Sequence, residues 1–121
     1  MSTVELTMDN FEDTVRENDI VLVDFWASWC GPCRMFAPTF EASSEQHPDI
    51  VFGKIDTEAQ QDLAGAFGIM SIPTLMIFRD QIGVFSQPGA IPAEALEDLI
   101  RQVRELDMDA VRASLAEQPA S

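Results

Sequence analysis

The chain has 121 residues, 46% of them hydrophobic, and its 21 acidic against seven basic side chains give a formal net charge of −14. That length suits one domain able to bury roughly two-thirds of its unfolded surface, and the hydrophobic fraction excludes global disorder. The charge speaks against nucleic acid, whose phosphates need clustered Lys and Arg, and equally against an anionic membrane surface. No apolar run reaches membrane-spanning length, and the opening Met1-Ser2-Thr3-Val4-Glu5 has neither a basic nor an apolar stretch. The expectation is a cytoplasmic protein, in a compartment that keeps thiols reduced.

In chain order, Thr3 to Leu6 reads as a short strand. Thr7 is placed to cap a helix reaching about Asn18, with Phe11 and Val15 on its buried side. Ile20 to Trp26 is almost continuously apolar, the pattern of a central strand covered on both faces. A helix is expected from Gly31 to about Gln46 with Pro38 inside it, then a strand over Ile50 to Ile55 and a short helix near Glu58 to Phe67 that Gly68 ends. Pro73 to Phe78 and Val84 to Ser86 read as a hairpin around a loop from Arg79 to Gly83, and Gly89 breaks its second strand. After Pro92, residues Leu96, Leu99, Ile100, Val103 and Leu106 form one helical stripe, with Glu97 and Arg101 spaced as an ion pair. Asp107 to Glu117 reads as an extra helix with Val111 and Leu115 as its apolar side, and Gln118 to Ser121 as a frayed end. Residues 1–106 are therefore one domain and 107–121 a C-terminal extension. The order β-α-β-α-β-α-β-β-α implies an α/β fold, a mixed sheet between helices with its parallel strands in the middle.

The only two cysteines stand in Trp29-Cys30-Gly31-Pro32-Cys33, straight after the apolar strand. A helix beginning here puts Cys30 at its N-cap and Cys33 one turn inside. Residues three apart on a helix face the same way with Cα atoms roughly 5–6 Å apart, which suits a disulfide. A cap sulfur faces unpaired backbone N–H groups and the positive end of the macrodipole, so its thiolate is favoured. Cys30 then attacks a partner's disulfide and Cys33, shielded behind it, resolves the mixed disulfide. Pro32 is tolerated in the first turn, and Gly31 leaves room for another backbone. A closed zinc site wants four ligands, and the chain offers two cysteines and His47. A purely structural bridge over so short a loop would constrain the unfolded chain little.

With these features in hand, the sequence resembles thioredoxin. The resemblance rests on Val23-Asp24-Phe25-Trp26-Ala27, Trp29-Cys30-Gly31-Pro32-Cys33-Arg34-Met35, Ala37-Pro38, Ser71-Ile72-Pro73-Thr74 and Gly89-Ala90, and covers about residues 3 to 106. It implies the thioredoxin fold, dithiol–disulfide exchange with protein substrates, no resident cofactor, and re-reduction by an NADPH-dependent flavoprotein thioredoxin reductase. A monomer is expected. The Gly-Pro pair between the cysteines resembles that of reducing members rather than oxidants or isomerases.

The resemblance also assigns supporting residues. Asp24 is a carboxylate in an apolar strand; burial should raise its pKa, and in similar proteins this acid exchanges a proton with the resolving thiol. Many thioredoxins carry a lysine near it on the third strand, at the position of Phe52 here, with Lys54 two residues on. The expectation is that losing the cation leaves Asp24 more easily protonated. Ile72-Pro73 is expected to be cis, leaving the Ile72 N–H and C=O to an extended substrate segment. Trp29, Met70, Ile72, Pro73, Gly89 and Ala90 form the implied substrate rim, while Trp26 packs behind the site. His47 is assigned no catalytic role. The turn at Asp80-Gln81 lacks the glycine common in the family.

A protein-disulfide reductase is the leading function. The alternative from another class is a binding or chaperone-like module that keeps the fold as a scaffold; an intact dithiol, cap, buried acid and proline argue against it.

Overall fold

Strand β2, Ile20–Trp26, is buried along its whole length save for the half-buried Trp26, because both of its faces are covered. In the computed structural model, which describes residues 2–117, it is the middle of a five-stranded sheet of order β1-β3-β2-β4-β5. The strands β1 (Thr3–Glu5), β2 and β3 (Val51–Asp56) run parallel, and β4 (Thr74–Arg79) and β5 (Ile82–Pro88) antiparallel. The parallel strands therefore occupy one side, with β1 at an edge, rather than the middle as expected.

The period-two alternation of β2 sorts its side chains between two cores. Ile20 and Leu22 pack with Phe36 and Phe40 of helix α2 (Gly31–Gln46) and with Leu96, Ile100 and Val103 of α4 (Ala93–Arg104). Val21, Val23 and Phe25 face Val15 of α1 (Phe11–Glu17) and Leu63 of α3 (Gln61–Ala66). Asp24 lies on the first of these faces, under α2. At Gly53 the chain just after β1 packs so closely that a Cβ there would run into the Leu6 side chain.

Several boundaries differ from the sequence expectations, each for a local reason. The helix expected to be capped by Thr7 is capped at Asn10 and begins at Phe11. The Asn10 side chain accepts from the Thr7 N–H at 2.7 Å and donates to the Glu5 carbonyl at 3.0 Å, holding residues 7–10 in turns. The helix placed from Glu58 begins at Gln61, because the Asp56 carboxylate takes the Glu58 and Ala59 N–H groups and turns the chain. The five-residue hairpin loop is a two-residue turn: Asp80 and Gln81 both have positive φ, 52° and 70°. That is the turn geometry matching strand twist, here without glycine; further along the hairpin the pairing shifts between Ile77 and Phe78, leaving Val84 of β5 as the extra residue of a bulge. Gly68 (φ 63°) and Gly89 (φ 99°) end their elements as expected.

Glu97 and Arg101 do not pair. Glu97 turns across to α2, where it accepts from Ser43 Oγ and meets His47 Nε2, both at 2.6 Å, while Arg101 pairs with Asp98 and Glu105. Arg104 can only donate, so it fixes His47 Nδ1 as an acceptor at 3.1 Å and leaves Nε2–H for Glu97. Helix α5, Met108–Glu117, exists, but its buried side chain is Met108; Leu115 is exposed and Val111 only half-buried. The expectation for Gln118 to Ser121 lies outside the described residues.

Candidate active site

Strand β2 delivers the chain to a short turn, closed by the Cys30 N–H on the Ala27 carbonyl at 3.2 Å. Cys30 is the N-cap of α2, extended at φ −88° and ψ 114°, and its sulfur accepts from the Cys33 N–H at 3.2 Å. Its carbonyl accepts the first helical bond, from the Arg34 N–H. Pro32 sits in the first turn, where its missing N–H breaks no intrahelical bond. Arg34 braces the turn by donating to the Ser28 carbonyl at 2.8 Å. The two cysteines are joined as a disulfide with Cα atoms 5.2 Å apart. Gly31 faces open space, so no contact with the described residues requires its missing side chain. His47 caps the other end of the same helix, about 24 Å from the cysteines by helical rise, so it cannot share a metal ion with them.

Exposure hardly separates the two cysteines, 4% for Cys30 and 2% for Cys33, so shielding does not make them unequal in this oxidised form. Helix position does: one sulfur occupies the cap and receives an N–H, and the other is inside the first turn.

Opposite the disulfide, Ile72-Pro73 is cis as expected, and the Ile72 carbonyl oxygen lies 3.6 Å from Cys30 Sγ. This loop is tied down by Thr74 Oγ1 donating to the Ser71 carbonyl at 2.7 Å and by the Gly89 N–H donating to the Pro73 carbonyl at 2.8 Å. The same bond draws Gly89 and Ala90, both exposed, beside it. Of the remaining rim residues, Trp29 is 64% and Met70 97% exposed, Ile72 is half-buried, and Pro73 is buried beneath the loop. Trp26 packs behind the cysteines with Ala27 and Ile72.

Two exposed residues near the cysteines escape the sequence reading. Met35 is 76% exposed; its spacing of three and four from Pro32 and Gly31 is the available signal, placing it on the same helix face. Glu58 accepts the Trp29 indole N–H at 2.8 Å, holding the ring from 29 residues away. No pattern along the chain announces that bond.

Asp24 is fully buried, and among the described residues neither carboxylate oxygen has a hydrogen-bond partner. Burial pushes its pKa up to about 7, against an opposing pull from Lys54. The expectation of a lost cation is therefore corrected. Residues two apart on a strand share a face, so Lys54 stands on the Asp24 side of β3 as Phe52 does, directly across the ladder. Its ammonium also lies 4.9 Å from the centre of the Trp26 ring.

A model of the family described as Thioredoxin matches residues 2–102. The chain belongs to the thioredoxin family. It is 63% identical over 119 residues to putative thioredoxin 2 of Streptomyces coelicolor, covering 98% of this chain and 89% of that relative. It is 41% identical over 103 residues to thioredoxin of Bacillus subtilis, covering 84% and 98%. A solved mutant thioredoxin from Halobacterium salinarum superimposes with a TM-score of 0.79 at 39% identity, over 86% of this chain and 91% of that one. Like its thioredoxin relatives this chain has the mixed sheet flanked by helices, and with its Cys30–Cys33 disulfide it is a thiol–disulfide oxidoreductase.

Proposed function

We propose that this family member reduces disulfides in protein substrates, with Cys30 as the attacking sulfur and Cys33 as the resolving one. The observation that carries the assignment is the Cys33 N–H donated to Cys30 Sγ at the cap of α2. A group that receives a hydrogen bond at a helix N-terminus is stabilised as the anion. In the reduced protein the Cys30 thiolate attacks one sulfur of a substrate disulfide; a mixed disulfide forms and the other substrate sulfur leaves with the electron pair. Cys33 gives its proton to the Asp24 carboxylate and attacks Cys30 Sγ. The Cys30–Cys33 bond closes and the second substrate sulfur departs, so two electrons pass to the substrate. A carboxyl pushed to about 7 is near-evenly protonated at neutral pH and suited to take and return that proton.

The substrate segment is held in extended form by the Ile72 N–H and C=O across from Cys30, between Trp29, Met70, Gly89 and Ala90. The dithiol is restored by an NADPH-dependent flavoprotein reductase, and the protein works as a cytoplasmic monomer without a bound cofactor. Reduction of insulin by the protein and by Cys30→Ser tests the sulfur roles. The variant should have no turnover, and turnover equal to the parent's would overturn the mechanism. Cys33→Ser should accumulate mixed disulfides on Cys30; their absence would remove the resolving role from Cys33.

A further inference from the structure

The most exposed large apolar side chain among the described residues is Met70, at 97%, followed by Met35 at 76%. Met70 stands two residues before Ile72, whose carbonyl faces Cys30 Sγ, and it lines a shallow cavity of about 180 Å³ with Ser71, Thr74 and Pro88, beside the Gly89 end of the rim. A thioether is soft and adaptable, which suits a surface that meets many apolar partners. It is also oxidisable, and at this exposure nothing in the fold protects it. The disulfide sulfurs alongside are already oxidised and almost fully buried. A peroxide arriving at the oxidised protein therefore meets Met70 as the most accessible reductant at the rim.

We propose that Met70 is an oxidation site that controls substrate capture: its conversion to the sulfoxide weakens binding of protein disulfides while leaving the Cys30–Cys33 chemistry intact. The inference rests on the substrate rim described above. In the step itself a sulfur lone pair attacks one oxygen of a hydroperoxide. The S–O bond forms, the O–O bond breaks, sulfur loses two electrons, and the hydroperoxide leaves as an alcohol, or as water from hydrogen peroxide. The product carries a polar S=O group where an apolar contact is needed, and desolvating it without a donor is unfavourable. Met35, on the outer face of α2, is the second thioether in reach. Met108, at 6% exposure, is the internal control that the fold protects.

The test is a timed hydrogen peroxide treatment of the disulfide form, with peptide mass mapping of each methionine and steady-state reduction of insulin and of a small aromatic disulfide. Met70 should gain oxygen first and Met108 last. At full Met70 oxidation the KM for insulin should rise about fivefold, with kcat and the rate on the small disulfide unchanged. The ratio of KM after to before treatment should stay near one in Met70→Leu, whatever that variant's own KM, and should match the parent's in Met35→Leu. Oxidation of Met108 ahead of Met70, an unchanged KM at full Met70 oxidation, or a Met70→Leu variant as sensitive as the parent would each overturn the proposal. An untreated protein inactive on insulin would bring down the catalytic reading and this inference together. Normal untreated activity with an unmoved KM would bring down this inference alone.

Discussion

Lys54 stands directly across the β2–β3 ladder from Asp24, and it is the group that opposes burial in setting that carboxyl's charge. Burial wins, because Asp24 has no exposure and neither oxygen receives a hydrogen bond from the described residues. A buried acid held in this way is uncomfortable when ionised, and several consequences can be measured.

Asp24 makes the fold less stable as pH rises. Its folded-state pKa of about 7 lies above the ordinary value near 4. Between those values the folded chain binds the extra proton, so stability contributed by the protonated acid is lost as pH climbs through the window and is flat above it. The full shift corresponds to roughly 4 kcal/mol. The gain from Asp24→Ala should therefore exceed its gain at about pH 5.5 by about 2 kcal/mol when measured near pH 8.5. Urea unfolding of the disulfide form reads this directly, and an equal effect at both values would refute the assignment.

Removing the cation should push Asp24 further up. Lys54→Met keeps a long apolar stem over Trp26 but deletes the charge that lowers the Asp24 pKa. Following the Asp24 carboxyl by NMR through a pH titration should place its midpoint above the parent's. A midpoint at or below the parent's would mean that Lys54 does not act on it.

The bond from Trp29 to Glu58 lies on the surface, beside the substrate rim proposed above. The bond is exposed, so Glu58→Ala should change unfolding free energy by less than about 1 kcal/mol. The freed indole should tumble faster in time-resolved fluorescence anisotropy, with a higher KM for insulin. Unaltered ring motion would mean that the bond does not restrain the rim.

Glu97 and Arg101 offer a direct comparison of spacing with contact. Arg101 makes only exposed pairs with Asp98 and Glu105, so Arg101→Ala should cost at most about 0.5 kcal/mol. Glu97→Ala strands the buried Ser43 hydroxyl and unties His47, and should cost about 1–3 kcal/mol. The Glu97 carboxyl is penalised by its partial burial, but bonds from Ser43 and His47 outweigh this and hold its pKa below the ordinary value. Stability from this group is therefore present above the unfolded value and lost as pH falls through the lower, folded one. Equal losses in the two variants by chemical unfolding would favour the helical pair over the interhelical one.

Much of this molecule is legible along the chain, and the legible parts share a length scale. Ile20–Trp26 announces a doubly covered strand, Leu96, Ile100 and Val103 announce a buried stripe, and Cys30 at the head of a helix announces a cap sulfur, because each pattern is complete within one or a few turns of backbone. The cis bond at Ile72-Pro73 comes from family resemblance and not from any local preference. Where competing side-chain bonds intervene at the same short range, as with Asn10 and Asp56, helix starts move by three residues.

By itself the sequence determined the strand and helix order, the dithiol and its position at a helix end, since hydrophobic period and capping are properties of neighbouring residues. Only the tertiary structure decided which charge faces Asp24, which carboxylate holds Trp29, which partner Glu97 takes and how bare Met70 and Met35 are left. Those outcomes depend on strand register and on the approach of segments tens of residues apart: a lysine two residues further along β3 keeps the same face but meets Asp24 instead of Leu22 across the ladder.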